Sequence, residues 1–203
     1  MGNELKGAVR TGKERHQGKI LLETSELIFR GTDFRLKIAF AEMRDVKSAN
    51  GELRVATNDG VLTFEVGAAA ERWREKILHP RTRAEKLGVK PGTRVRLLGK
   101  FEPDFVKELR GSKAEVIQTG NSTDAANTLF AADSKSALAA VAKLAGKMKG
   151  AEALWIVYRK GRKDITEIDV IAAGRKAGLK DVKVVGFSPT HTALKFVIPL
   201  EKR

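Results

Sequence analysis

The sequence predicts two domains: a small β-barrel or sandwich closed by a helix over residues 1–79, and a basic three-layer α/β domain over residues 80–203 whose sheet ends in an antiparallel hairpin. Three observations lead there. Residues 5–66 carry short apolar-alternating runs separated by turn residues, the mark of several short strands. Residues 69–77 change to a helical period and stop at His79-Pro80, where the residue before proline avoids the α region. Beyond Pro80, strand-like and helix-like segments alternate, the pattern of a mostly parallel sheet covered by helices.

The first elements follow from local chemistry. The runs 19–22 and 27–29 flank Glu23-Thr24-Ser25-Glu26, a hairpin sequence. Residues 34–40 alternate apolar and polar, with one face for a core and one for water. Residues 53–56 and 61–66 flank Asn58-Asp59-Gly60, whose residues tolerate the positive φ of a tight turn. Trp73 and Ile77 form one apolar stripe of the closing helix, which buries itself and an open barrel end together.

In the second half, residues 94–98, 114–118, 127–131 and 154–158 read as strands and 103–109 as a short helix. Ser134 can cap a helix presenting Leu138, Val141, Ala145 and Met148. Residues 166–176 read as a helix with Ile168, Ile171 and Ala172 inward, stopping near Gly178. Strands 182–187 and 193–198 lie close enough to pair as a hairpin. The link between residues 118 and 127 is too short for an ordinary parallel crossover. Either it runs extended beneath the sheet, or residues 114–131 form an antiparallel hairpin.

Composition narrows the function classes. With 42% hydrophobic and 32% charged residues in 203, a globular core is expected. There is no cysteine, which excludes disulfides, thiolate catalysis and Cys-based zinc sites and suits a reducing compartment. His16, His79 and His191 lack metal-ligand spacing, so no metal is expected. No apolar run approaches the ~20 residues needed to cross a bilayer, and the first residues lack a signal-peptide core. Lys6 argues against myristoylation at Gly2. A cytoplasmic location without membrane insertion is expected. The net charge of +14 is uneven: residues 1–80 carry 14 Lys and Arg against 12 Asp and Glu, while residues 81–203 carry 25 against 13. The second half would concentrate polyanions around itself.

The segment Gly18-Lys19-Ile20-Leu21-Leu22-Glu23-Thr24-Ser25-Glu26-Leu27-Ile28-Phe29-Arg30-Gly31, followed by Gly51-x-Leu53-x-Val55 and the Trp73 helix, resembles bacterial PH-like and GRAM-like domains. The resemblance implies a possible protein partner. It also implies a phosphoinositide-type first loop, here Arg10, Lys13, Arg15 and Lys19 with Glu14 among them.

Leu87-Gly88-Val89-Lys90-Pro91-Gly92, Lys149-Gly150-Ala151 and Ala177-Gly178-Leu179 resemble a class I methyltransferase-type Rossmann fold. They are more similar still to a bacterial family of unknown function with a shortened version of it. The fold's enzymes have glycines after the first strand and an acidic ribose ligand after the second. Here the first stretch is Gly99-Lys100-Phe101-Glu102-Pro103-Asp104, one glycine followed by bulk and charge, and the second offers only Asp124 in a turn. No cofactor is therefore expected.

Other chemistry is scarce. There is no Gly-x-Ser-x-Gly elbow and no Walker loop, and no catalytic residue is assigned. Glu102 with Asp104 and Glu167 with Asp169 sit near helix starts, where carboxylates suit the helix dipole. His191 falls in the final hairpin loop without a nameable partner. In open α/β sheets ligands bind at the carboxyl ends of the strands. There the sequence offers Lys100 and the run Arg159, Lys160, Arg162 and Lys163, a candidate anion-binding rim. With aromatics at 6%, any nucleic-acid contact would be mainly electrostatic. The leading expectation is a non-catalytic binding or adaptor protein taking an anionic ligand or nucleic acid through the second domain. The alternatives are a divergent S-adenosylmethionine-dependent methyltransferase or phosphate-ligand enzyme, and a nonspecific nucleic-acid-binding protein.

Overall fold

The computed structural model describes residues 3–118 and 125–203. The chain divides into two compact units, Met1–Arg81 and Thr82–Arg203.

The first unit is a curled antiparallel sheet of β1 (Asn3–Thr11), β2 (Glu14–Leu22), β3 (Glu26–Gly31), β4 (Arg35–Ala39), β5 (Asp45–Ala49), β6 (Glu52–Thr57) and β7 (Gly60–Glu65). Helix α1 (Ala70–Leu78) follows, and the spatial strand order is β4-β3-β2-β1-β7-β6-β5. Three glycines lie in register across neighbouring strands: Gly7 opposite Gly18, and Gly18 opposite Gly31. A Cβ at Gly7 would sit 2.3 Å from the Glu65 carbonyl oxygen, and one at Gly18 would sit 2.5 Å from that of Arg30. This row of missing side chains lets the sheet bend sharply over itself. The curl encloses Val9, Ile20, Leu27, Phe29, Leu53 and Phe64, and Trp73 and Ile77 of α1 complete that core as their spacing predicts.

The second unit opens with α2 (Arg83–Lys86), where Thr82 accepts from the Glu85 N–H and the Glu85 carboxylate accepts from the Thr82 N–H, a reciprocal cap. Its sheet contains β8 (Arg94–Leu98), β9 (Glu115–Ile117), β10 (Asn127–Ala131), β11 (Ala153–Arg159), β12 (Lys180–Gly186) and β13 (His191–Val197), in the order β12-β13-β11-β10-β8-β9. Helices α3 (Pro103–Gly111), α4 (Ala140–Ala145) and α5 (Glu167–Lys176) lie between them in sequence. β8 to β11 are parallel, and β12 and β13 form the closing antiparallel pair. β11 is buried on both faces. Ala153, Trp155 and Val157 pack with Ala84, Phe105 and Leu109, while Leu154, Ile156 and Tyr158 pack with Val141, Val170 and Leu179. This makes three layers.

One open alternative is settled and one expectation changes. Residues 114–131 are not a hairpin: Ile117 pairs with Arg96 from one side of β8, and Thr128 pairs with the same residue from the other. The link itself, with Asp124, lies outside the described residues. In α5 the buried residues are Val170 and Gly174, whereas Ile168 is 78% exposed and Ala172 is also exposed. The reason is steric. A Cβ at Gly174 would lie 2.1 Å from the buried ring of Phe196, so the helix docks through its smallest face.

Candidate functional site

The strand order reverses at β8, whose sequence neighbour β9 lies on one side and β10 on the other. The carboxyl ends of β8 and β10 therefore mark where an open α/β sheet would hold a ligand. Here those ends are pinched together. Gly99 has φ +90°, and a Cβ on it would approach the Ala131 carbonyl oxygen to 3.0 Å and the Ala131 Cβ to 3.1 Å. Its glycine serves the close packing of two strand ends.

Aromatic rings fill the crevice beyond. Phe105 meets Phe187 edge-on at 4.7 Å between centroids, and Phe101 lies 5.7 Å and 6.3 Å from those two rings. The Arg83 guanidinium lies 5.0 Å from the Phe105 centroid and 5.6 Å from that of Phe187. It binds Glu108 at 2.7 Å, Asp104 at 2.7 Å and Glu102 at 3.4 Å. The adjacent guanidinium holds the Asp104 carboxyl below its usual range. Glu102 and Asp104 thus face Arg83 and leave the crevice without a free carboxylate from this pair.

Among the described residues, a cavity of about 40 Å³ is left here, lined in part by Lys100, Asp133, Phe187 and His191. Ligand pockets run to roughly 300–1,000 Å³. A cavity this small takes a few water-sized molecules. Among the described residues, this cavity is too small for an adenosyl group. His191 Nδ1 lies 2.9 Å from the Thr190 hydroxyl and 3.3 Å from that of Ser188, so one ring nitrogen is engaged within its own turn.

A second concavity opens beside this one, a broad bowl of about 560 Å³ lined by Arg159, Lys160, Gly161, Arg162, Pro189 and Thr190. The Lys160 N–H donates to the Thr190 carbonyl at 3.0 Å and ties its two walls together. Arg162 gives Nε and Nη2 to the Asp164 carboxylate, each at 2.6 Å, and keeps Nη1 outside that pair. Of the five rim residues read from sequence, Arg159, Lys160 and Arg162 share this bowl. Lys100 lines the small cavity, and Lys163 lines neither. Pro189 and Thr190 were not read as rim residues, because only the β11–β13 pairing brings the last turn beside Lys160.

In the first unit, Arg15 makes a two-point contact with Glu65 at 2.9 and 2.6 Å. Arg10 pairs with Glu52, and Lys19 pairs with Glu4 at 2.8 Å. A phosphate would have to displace these carboxylates. Lys13, beside the β1–β2 turn, has no ion pair among the described residues. Among the described residues no group of three His, Asp or Glu could hold a metal, and no helix is long and apolar enough to cross a membrane.

No protein-family model matches the chain, and no curated protein matches it in sequence. Among solved structures it is similar to a SAM-dependent methyltransferase from Aquifex aeolicus, at 15% identity over 62% of this chain and 89% of that one, with a TM-score of 0.44. A TehB-like SAM-dependent methyltransferase from Corynebacterium glutamicum gives 12% identity over 64% and 96%, with a TM-score of 0.37. The C-terminal domain of an unknown protein from Leishmania infantum gives 16% over 37% and 78%, with a TM-score of 0.32. Scores this low assign no activity to the chain.

Proposed function

We propose that this chain is a non-catalytic binding protein that takes a phosphate-bearing polyanion in the basic bowl between the β11–α5 loop and the β12–β13 turn. One observation carries this reading. The crevice where a Rossmann-like relative would hold a nucleotide is packed with phenylalanine, while the adjacent open surface presents Arg159, Lys160 and part of Arg162. The strand order β9-β8-β10-β11-β13-β12 supports the reading of a shortened Rossmann-like domain. The seven-strand curl closed by α1 supports the PH-like reading of the first unit, with protein contact as its role.

The chemistry favours phosphate. Arg159 and Lys160 are exposed and form no ion pair among the described residues, and arginine matches phosphate with a planar fork. The start of α5 is an unsuitable anion site: Asp169 already accepts from the Thr166 N–H at 3.0 Å and carries negative charge into the first turn.

The test is a fluorescence titration with a labelled single-stranded oligonucleotide across a salt series. Binding is expected to weaken steeply with salt. Replacing Arg159, Lys160, Arg162 and Lys163 with glutamine should flatten the log–log slope by about 2–3. Asp164→Asn, which frees Arg162, should tighten binding about two- to fivefold. Absence of binding by the parent protein, or an unchanged slope in the glutamine variant, disposes of the bowl.

A further inference from the structure

Among the described residues, the side chains lining the basic bowl offer hydrogen-bond donors and almost no free acceptor. Arg159, Lys160 and Arg162 carry donors alone, and the Pro189 side chain carries neither. The Thr190 hydroxyl is engaged within its own turn, 2.9 Å from His191 Nδ1 and 3.3 Å from the Ser188 hydroxyl. Asp164, the carboxylate next to Lys163 in sequence, is held by Arg162 through both oxygens at 2.6 Å. We infer, on the basis of the anion-site reading above, that the bowl takes a chain of directly linked phosphates without nucleobases, of the inorganic polyphosphate kind.

Three features select that class. The first is the donor set. The inner phosphates of such a chain present acceptors alone, which these cations match. A base or a ribose brings amino or hydroxyl donors of its own, and the lining side chains have no acceptor for them.

The second is the lack of a stacking platform. Bases held without sequence readout lie on exposed aromatic rings. Among the described residues no phenylalanine, tryptophan or tyrosine side chain is exposed. A nucleic acid in the bowl would be gripped by its phosphates only.

The third is the crowding of charge. The chain turns at Lys160 and Gly161, where Gly161 has φ +72°, and gathers Arg159, Lys160 and Arg162 round one hollow. A sugar separates successive phosphates in a nucleic acid, so few of them reach that hollow together. Directly linked phosphates bring several acceptors to the same cations.

Calorimetric titration of the full chain compares four ligands at one salt concentration, without divalent metal. They are inorganic polyphosphate of about fifteen phosphates, single-stranded DNA of matched charge, tripolyphosphate and adenosine triphosphate. Polyphosphate is expected to bind about tenfold more tightly than the DNA, and adenosine triphosphate within about twofold of tripolyphosphate. A dense polyanion favours any basic protein, so two double variants locate the preference. Arg159→Gln with Lys160→Gln should cut it to about twofold or less. Lys143→Gln with Lys147→Gln, an equal loss of charge at exposed positions in and just after α4, should leave it intact. Equal affinity for polyphosphate and DNA, both lost in the Arg159 and Lys160 variant, would overturn this inference and leave the anion site standing. Adenosine triphosphate binding more than about twofold tighter than tripolyphosphate would reveal a base subsite and overturn it too. So would a preference that the two double variants reduce equally, since general charge would then govern it. Absence of binding by all four ligands would remove the anion site together with the inference.

Discussion

The Nε of Arg83 donates to Glu108 across 2.7 Å while its guanidinium lies 5.0 Å from the ring centroid of Phe105. One side chain at the start of the second unit thus joins α2 to α3 and covers the aromatic cluster that fills the crevice. Glu108 reciprocates, its second oxygen accepting from the Ala84 N–H at 2.9 Å.

Arg83→Met should therefore destabilise the second unit by about 2–3 kcal/mol, because Glu108 is left half-buried without its cation. Arg83→Lys should recover only part of this, since a point charge cannot serve the same fan of carboxylates. Urea denaturation followed by tryptophan fluorescence in a Trp73→Phe background, where Trp155 is the sole emitter, measures both. A variant within about 0.5 kcal/mol of the parent would show that the network is ornamental.

Gly174 tests the docking of α5. Gly174→Ala drives a methyl group into Phe196, a ring with no room to move, and should cost about 3 kcal/mol. Ala172→Gly, on the exposed side of the same helix, should cost only its propensity of about 1 kcal/mol. Similar melting temperatures for the two variants would contradict this packing.

Asp169 is one of the carboxylates through which stability depends on pH in acid. Its hydrogen bond to Lys135, then those to Thr166, hold its pKa down to about 2. A carboxylate depressed in the fold contributes fully above its unfolded value near 3.9, and the contribution is lost as pH falls from there through about 2. Asp169→Asn should thus bring stability closer to the parent's in thermal melts as pH falls from 5 to 2. A constant difference over that range would show that the carboxylate is not depressed.

Tyr158 is the chain's only tyrosine, so ultraviolet titration reports it alone. Burial first, then its hydrogen bond to Glu167 at 2.9 Å, raises its pKa above the ordinary value. The neutral phenol is the form the fold favours. Its contribution is intact below the unfolded value near 10 and is lost as pH rises through the higher folded one. Phenolate absorbance should appear later than in a denatured control, and Glu167→Gln should move it part of the way back.

Much of the α/β architecture was legible because strands buried on both faces have to be continuous apolar runs; β11 is the clearest case. Less was legible where meaning depends on distant partners. Helix α5 has recognisable ends at Thr166 and Gly178, but its inward face turns on Phe196 filling the space beside Gly174, more than twenty residues away. β1 reads poorly as a strand because Gly7 and Ala8 interrupt its pattern, and the reason for Gly7 is the nearby Glu65 carbonyl. The Thr82-x-x-Glu85 cap, by contrast, has a plain local signature in the sequence, that of a capping box. For the basic residues, sequence gives number but not availability. Arg15 and Arg162 are both spoken for by carboxylates, one 50 positions away and the other two.

The most direct measurement is calorimetric titration of the full chain with S-adenosylmethionine. The Phe101, Phe105 and Phe187 packing calls for no saturable heat at millimolar ligand. A micromolar dissociation constant with one-to-one stoichiometry would mean that the crevice opens, and would return this chain to the enzymes its second unit resembles.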